Sequence, residues 1–174
     1  MSIAYIGLGS NLGDRGQQIA NALQRLESPE TKMLRVSSIY QSAPLGPVAD
    51  QPLFFNAAAE LQTRLAPGRL LERMLAVEDA MKRERTVHQG PRTIDLDLLL
   101  FDDVVARWPE LTLPHPRFHQ RAFVLLPLLE LCPELIDPKS GVKVATMLPA
   151  TASQAITRVG ALQLRWATEN ELAI

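Results

Sequence analysis

The sequence predicts an α+β domain with a mainly antiparallel sheet, and three observations support this. Runs of strand length, either apolar throughout or alternating, recur along the chain. Two of the intervals between them carry apolar residues at helical spacing. The chain has 174 residues, of which 47% are hydrophobic, so it is long enough to bury one substantial core. We therefore expect a single domain over residues 1–174.

The first half of the chain is predicted to form a strand, a helix and two further strands. Residues 2–9 are a mostly apolar run, residues 31–42 alternate between apolar and polar side chains, and residues 54–65 form the third strand. The helix follows the first strand and continues through Arg25. Its apolar positions have the i, i+3, i+4, i+7 spacing: Ile19, Ala22, Leu23 and Leu26. The Pro- and Gly-rich residues 43–52 are predicted to be a loop.

A second helix and a fourth strand complete the predicted core. Pro67 stands where the first turn of a helix tolerates proline. One face of this helix carries Leu70, Met74, Val77 and Met81. Residues 82–89 form a basic connection, and residues 90–101 contain the fourth strand. Strand, helix, strand, strand, helix, strand is the order of a ferredoxin-like βαββαβ core, in which helices pack on the sheet.

Beyond this core the pattern is weaker. Residues 103–107 are predicted as a short strand or turn, and a helix is centred on residues 119–131. From Gly141 the pattern is ambiguous, with weak helical spacing near residues 152–157. Residues 149–174 are an undiagnostic tail, and the sequence shows no internal repeat or second domain.

Charge and composition argue against several classes of protein. With 18 basic and 19 acidic residues, nothing favours nucleic acid or an acidic membrane surface as a partner. No apolar stretch has membrane-spanning length, and the first residues lack the features of a signal peptide. Cys132 is the only cysteine, which excludes a disulfide within the chain and a thiolate metal cage. We expect a soluble, cytoplasmic monomer.

The stretch GPRTIDLDLLLF, residues 90–101, places two aspartates in an apolar run. In a strand, Asp95 and Asp97 share one face and Leu96 points to the other. At a rise of about 3.3 Å per residue, the carboxylates start about 7 Å apart. Like charges at this separation repel unless they are solvated or bridged by cations. The spacing alone fits a solvated strand face and a metal site equally well.

Side chains suited to phosphate lie on both sides of the aspartates. They are Arg83, Arg85, His88 and Arg92 before the strand, and His115, Arg117, His119 and Arg121 after it. The planar fork of arginine fits phosphoryl oxygens, and carboxylates fit Mg²⁺. A solvated surface would explain the same arginines. His115 and His119 have a spacing found in zinc helices, but Pro116 lies between them and a third ligand is missing.

The glycines of GLGSNLGD, residues 7–14, have two interpretations. The stretch resembles a phosphate-binding loop at first sight. However, it lacks the Gly-Lys-Ser/Thr ending of a P-loop, and Leu12 stands where a dinucleotide fingerprint needs glycine. A tight strand-to-helix turn is therefore favoured.

Several motifs taken together resemble the 6-hydroxymethyl-7,8-dihydropterin pyrophosphokinase family. They are GLGSNLGD, SAPLGP, FFNAA, GPRTIDLDLLLF, LTLPHPRFHQRAFVLLPLLEL and CPEL, in this order over about residues 2–148. The resemblance implies transfer of the β,γ-pyrophosphoryl group of ATP to the pterin hydroxymethyl group, with release of AMP, in folate biosynthesis. ATP and the pterin would be the partners, and Asp95 and Asp97 would bind two Mg²⁺ ions.

The resemblance also implies roles for other residues. Around the transferred phosphates it places the catalytic group Arg83, Arg92, Asp95, Asp97, His115 and Arg121. The ATP-binding group comprises Arg92, His115 and Arg121, with Leu98, Leu111 and Thr112 at the adenosine and Glu78 and Arg85 nearby. The pterin would lie between Phe54 and Phe123, its edge read by Asn56 and by groups near Ser42 and Leu45, with Asp95 beside it. Residues 82–89 match the mobile lid of the family.

Two other hypotheses remain at this stage. The chain could be a ferredoxin-like module that binds a small molecule without catalysis, but a pure binder does not require the set Arg92, Asp95, Asp97, His115 and Arg121. It could be a different Mg²⁺-dependent phosphotransferase, but such an enzyme does not require Phe54, Asn56 and Phe123.

Overall fold

The computed structural model describes residues 1–45, 51–81 and 93–162. In chain order, its strands and α-helices are β1 (Ser2–Ser10), α1 (Arg15–Leu26), β2 (Thr31–Val36), β3 (Ser38–Ser42), β4 (Phe54–Thr63), α2 (Pro67–Ala80), β5 (Asp95–Phe101), β6 (Ala106–Arg107), β7 (Thr112–Leu113), α3 (Ala122–Leu131) and β8 (Ile156–Ala161). Two 3₁₀ segments cover Phe118–Gln120 and Val144–Thr151.

One antiparallel sheet joins most of the strands. Its order is β5-β1-β4-β3-β8, and β2 pairs with β4 beyond the end of β3. Because β2 and β3 pair with successive parts of β4, they occupy the same position in the strand order of the sheet. The predicted ferredoxin-like arrangement is thereby confirmed, with β6 and β7 forming a separate two-stranded ribbon.

The predicted strand 31–42 is interrupted at Ser37. The backbone N–H of Ser37 donates to the Ala58 carbonyl at 2.9 Å, while its hydroxyl accepts the Ala58 N–H, also at 2.9 Å. A side chain therefore replaces a backbone group as partner of β4 at this point. The prediction of one continuous strand was wrong because the sequence pattern continues through Ser37 and does not show this exchange of partners.

The two faces of the sheet are covered by different helices. On one face, α1 and α2 pack against apolar side chains of β1, β4 and β5, such as Ile6, Leu61 and Leu98. All the apolar helix positions named from the sequence are buried there: Ile19, Ala22, Leu23, Leu26, Leu70, Met74, Val77 and Met81. On the other face, α3 packs with Leu125 and Leu128 against Leu99 and Leu100.

Local signals explain where the first two helices begin. Asp14 precedes α1, and its side chain accepts the backbone N–H of Gln17 at 3.0 Å, as an N-cap does. Gly13 adopts a positive φ of 62° in the turn before it, which confirms the tight turn for this glycine. For Gly7 and Gly9 the prediction was wrong, because both lie within β1. Pro67 occupies the first turn of α2, as predicted.

The tail differs most from the prediction. Instead of a helix near residues 152–157, β8 covers Ile156–Ala161 and pairs antiparallel with β3. Ile156, Thr157 and Val159 are β-branched and favour a strand once an edge is available to pair with. That edge is supplied by a part of the chain more than a hundred residues away, so local spacing could not reveal it. No helix within the described ranges is both long and apolar enough to span a membrane.

Candidate functional site

The acidic pair of β5 faces the α3 side of the sheet. In the antiparallel pairing of β5 with β1, Asp95 lies opposite Gly9 and Asp97 lies opposite Gly7. On its other side β1 pairs with β4, and there Gly9 lies opposite Asn56. These residues share a face because paired antiparallel residues point the same way. Leu96 points to the α1/α2 core, so the alternation predicted from the sequence is confirmed.

A cavity of about 160 Å³ opens above this face. Its lining includes Gly7, Gly9, Ser42, Leu45, Phe54, Asn56, Asp95, Asp97, Arg117, Arg121 and Phe123. All six residues of the predicted pterin set are among them. Five elements (β1, β3, β4, β5 and α3), the segment after β3 and the residues just before α3 supply this lining, and the fold brings them together.

Asn56 is held in one orientation at the base of the cavity. Its side chain is buried, and Nδ2 donates to the Tyr40 carbonyl at 3.1 Å and to Ser42 Oγ at 2.9 Å. Oδ1 lies toward Gly9, since a Cβ at Gly9 would be 3.5 Å from it and 3.7 Å from Phe54. The side-chain carbonyl oxygen of Asn56 is thus an acceptor at the cavity floor, where Gly9 leaves room because it has no side chain.

Cationic and neutral donors surround Asp97, whose side chain is 34% exposed. Arg121 Nη1 lies 3.5 Å from Asp97 Oδ2, and His115 Nε2 lies 3.9 Å from Oδ1. The guanidinium of Arg121 also lies over the Phe123 ring, 5.6 Å from its centroid. These separations are long for tight ion pairs, so the groups surround a space beside the carboxylate.

His115 is held by backbone contacts on two sides. Its own N–H donates to the Leu99 carbonyl at 2.8 Å, and its Nδ1 accepts the Arg117 N–H at 3.2 Å. Burial lowers the pKa of His115, the charges of Arg121 and Arg117 lower it further, and Asp97 acts against them. The imidazole is therefore neutral at pH 7, with its proton on Nε2, so it presents a donor toward Asp97.

None of the described residues predicted at or near the adenosine lines the cavity, although Arg121 of the ATP-binding group does. Leu98 and Leu111 are buried in the α1/α2 core, and Thr112 lies on β7. Glu78 is 1% exposed and accepts the Leu96 N–H at 2.7 Å, which supports the start of β5. Their assignment to the adenosine stays a prediction. Arg83, Arg85, Arg92 and the predicted lid, residues 82–89, lie outside the described residues.

The two glycines of β1 and Arg117 were not predicted as members of the site. Gly7 and Gly9 belong to it only because the register pairs them with the aspartates. Arg117 was predicted to be one of the side chains suited to phosphate, but the resemblance to the family implied no role for it. Arg117 lines the cavity, as Arg121 does. The alternate spacing of the glycines, matching that of Asp95 and Asp97, is the one signal that could have indicated them.

The acidic pair fits a hard cation that is only partly held by protein. Two carboxylates at the cavity provide the oxygen ligands that Mg²⁺ prefers, and Mg²⁺ commonly completes its coordination with water and phosphate oxygens. In the part of the chain that the structure describes, no group of three or more His, Cys, Asp or Glu side chains could hold a metal. The two carboxylates therefore suit an ion that is also coordinated by an anionic ligand.

Aromatic walls, a fixed amide and an acid–arginine cluster on a ferredoxin-like sheet are typical of an enzyme that binds a flat molecule beside a phosphate centre. The model of the family described as 7,8-dihydro-6-hydroxymethylpterin-pyrophosphokinase (HPPK) matches residues 5–133. The chain belongs to this family.

Similar proteins have the corresponding name. A Pseudomonas aeruginosa 2-amino-4-hydroxy-6-hydroxymethyldihydropteridine pyrophosphokinase is 45% identical over 156 residues, covering 89% of this chain and 95% of that protein. A Bacillus subtilis protein of the same name is 44% identical over 135 residues, covering 77% and 80%. A crystal structure of Plasmodium falciparum HPPK-DHPS has a TM-score of 0.70 at 16% identity, covering 85% of this chain and 45% of that one. The structural likeness supports the fold.

Proposed function

We propose that this chain transfers the pyrophosphoryl group of ATP to the hydroxymethyl group of 6-hydroxymethyl-7,8-dihydropterin, forming the pterin diphosphate and AMP in folate biosynthesis. One observation carries the proposal: the residues matched to pterin recognition and the acidic pair matched to metal binding line the same cavity. A module that only binds pterin would have no use for the second group. That the protein acts in the cytoplasm as a monomer stays a prediction from the sequence.

The cavity offers what a flat, polar heterocycle needs. Phe54 on β4 and Phe123 on α3 supply apolar ring surfaces from the sheet side and the helix side. Because both hydrogen bonds of Asn56 Nδ2 go to protein atoms, its Oδ1 is the atom that accepts from ring N–H donors. Pterin specificity therefore depends on an amide whose orientation the protein has already set.

The reaction has a simple balance of bonds. The hydroxymethyl oxygen forms a bond to the β-phosphorus and releases its proton to solvent, and the bond from that phosphorus to the oxygen retained by AMP breaks. Negative charge collects on the phosphate oxygens, and Arg121 and the Nε2–H of His115 are placed beside Asp97 to stabilise it. Arg83 and Arg92, which lie outside the described residues, are predicted to add two further cations.

Asp95 and Asp97 are the residues that would hold Mg²⁺. When bound, the ion neutralises phosphate charge and orients the triphosphate. The carboxylates have a further role without it, since Asp97 orients Arg121 and His115 at the edge of the cavity.

The direct test is an assay with ATP, Mg²⁺ and 6-hydroxymethyl-7,8-dihydropterin, in which nucleotide and pterin products are separated by chromatography. We expect AMP and pterin diphosphate in equal amounts, and neither product when the pterin or Mg²⁺ is omitted. ADP with a pterin monophosphate would indicate transfer of one phosphoryl group. Binding of pterin without formation of either product would indicate a module that binds pterin without catalysis.

A further inference from the structure

The carboxylate of Glu130 joins α3 to β3 through three hydrogen bonds. Oε2 accepts from the Tyr40 hydroxyl at 2.6 Å, and Oε1 accepts from the N–H and the hydroxyl of Ser38 at 2.9 and 2.8 Å. Glu130 lies 92 residues from Ser38 in the chain, so these bonds are purely tertiary. They lie on the cavity side of the sheet but outside the cavity lining.

The strand β8 adds a cation to this group. Arg158 pairs with Tyr40 in the sheet, donates to Ser38 Oγ at 2.6 Å and places Nε 3.7 Å from Glu130 Oε2. Burial acts to raise the pKa of Glu130, but the bonds from Tyr40 and Ser38 and the charge of Arg158 outweigh it and hold the pKa below its ordinary value. The carboxylate is therefore ionised at neutral pH, and its hydrogen bonds are charge-assisted.

Both ends of this connection lead to the cavity. Along α3, Phe123 and Glu130 are seven residues apart, which is close to two helical turns, so they lie on the same side of the helix. Along β3, the carbonyl of Tyr40 accepts from Asn56 Nδ2, and Ser42 accepts from the same nitrogen. Glu130 thus ties the helix that carries one aromatic wall to the strand that orients the amide.

We propose that Glu130, acting through Tyr40, is a positioning residue that sets the distance between the Phe123 wall and the Asn56 amide, and so determines how tightly the pterin is bound. The inference rests on the proposed function, because the ligand is the pterin of that reaction. Neither side chain lines the cavity, and the connection leads to Phe123 and Asn56, which both belong to the predicted pterin set. The effect is therefore expected on the pterin and not on ATP.

The test compares Glu130→Gln and Tyr40→Phe with the unaltered chain. Calorimetry would measure Kd for 6-hydroxymethyl-7,8-dihydropterin and, separately, for a non-hydrolysable ATP analogue with Mg²⁺, and melting curves would follow stability. We expect the pterin Kd to rise about threefold to tenfold in both variants, the effect of one lost hydrogen bond. The Kd of the ATP analogue should stay within about twofold of its original value, as expected when no contact to it changes.

Glu60→Gln is the matched control. Glu60 is also a buried carboxylate on this face of the sheet, and it pairs with Arg35 at 2.5 Å, but it does not line the cavity. This variant should lose stability without weakening pterin binding. If Glu130→Gln does not fold, the pterin Kd of Tyr40→Phe tests the inference by itself, because this variant removes one hydroxyl and keeps the ring.

Three results would overturn the inference, and they distinguish its failure from failure of the proposed function. If Glu130→Gln and Tyr40→Phe melt earlier but bind pterin as the unaltered chain does, the group only stabilises the fold and the inference is wrong. The same conclusion follows if both ligands weaken equally. If the unaltered chain itself binds no pterin, the proposed function fails and the inference fails with it.

Discussion

At the scale of single residues, Gly9 shows how the cavity depends on a missing side chain. A Cβ at this position would meet Asn56 Oδ1 at 3.5 Å and Phe54 at 3.7 Å, which are ordinary contact distances. We predict that Gly9→Ala leaves the fold intact, and can even raise the unfolding free energy by about 0.4–1 kcal/mol. The methyl group would occupy the cavity floor, so the pterin Kd should rise at least about tenfold.

Gly68→Ala is the control for Gly9→Ala. Gly68 lies in the first turn of α2, and a Cβ there would have nothing within 4 Å. This variant should gain stability and bind pterin normally. Equal pterin binding by both alanine variants would show that Gly9 does not form part of the pterin site.

Tyr40 is expected to make the stability of the protein depend on alkaline pH. Burial and the bond to Glu130 raise its pKa to about 12, while the nearby charge of Arg158 acts against them. In the unfolded chain a tyrosine titrates near pH 10, so the folded state holds this proton more strongly. Its contribution to stability is present below about pH 10 and is lost as pH rises toward 12.

Urea denaturation between pH 9 and about pH 11 tests this prediction. Tyr40→Phe has no proton to lose at this position, so its unfolding free energy should fall less steeply with pH than that of the unaltered chain. Tyr5, whose pKa is also raised by burial, is present in both proteins, so the difference isolates Tyr40. Parallel pH profiles would contradict the prediction.

At the scale of elements, the break between β2 and β3 depends on one buried hydroxyl. Ser37 Oγ accepts the Ala58 N–H at 2.9 Å and donates to the Ser38 carbonyl at 2.8 Å. We predict that Ser37→Ala lowers the unfolding free energy by about 1–3 kcal/mol, because the Ala58 N–H would be buried without its partner. Ser153→Ala, at an exposed position, should change it by less than about 0.5 kcal/mol in the same urea titration. A loss of unfolding free energy below about 1 kcal/mol in Ser37→Ala would contradict the prediction and mean that the backbone adjusts without the hydroxyl.

The elements also show which features local patterns can predict. The helix faces and the face of Asp95 were predictable because period 3.6 and period 2 are local properties of the chain. The break at Ser37 and the strand β8 were not, because both depend on which distant strand edge lies alongside. Likewise, Gly9 joins the site only through its pairing with Asp95 and Asn56. The six residues that the family motifs indicated for the pterin line one cavity, and their role stays a prediction. The spacing of Asp95 and Asp97 alone left a metal site undecided.

At the scale of the whole molecule, stability and the proposed chemistry lie on opposite faces of one sheet. The α1/α2 face holds the larger apolar core, and the α3 face holds the cavity, the acidic pair and Arg121. This division means that variants of the acidic pair should change activity with little effect on folding.

The central claim is that Asp95 and Asp97 act in pyrophosphoryl transfer and are not merely a solvated strand face. An asparagine keeps the shape of either side chain but removes the charge that would hold Mg²⁺ against the triphosphate. Losing one charge-stabilising contact typically costs on the order of 3–4 kcal/mol, or about 10²–10³ in rate, and loss of a metal ligand should cost at least that. Without metal, removing one of two neighbouring like charges relieves repulsion, so stability should stay level or rise.

The most direct test is therefore AMP formation per mole of folded protein, measured together with melting temperature, for Asp95→Asn and Asp97→Asn. We expect each variant to lose at least about 10²-fold in rate while melting at or above the temperature of the unaltered chain. Lower melting temperatures combined with retained AMP formation by the folded fraction would contradict the claim and identify the aspartates as structural.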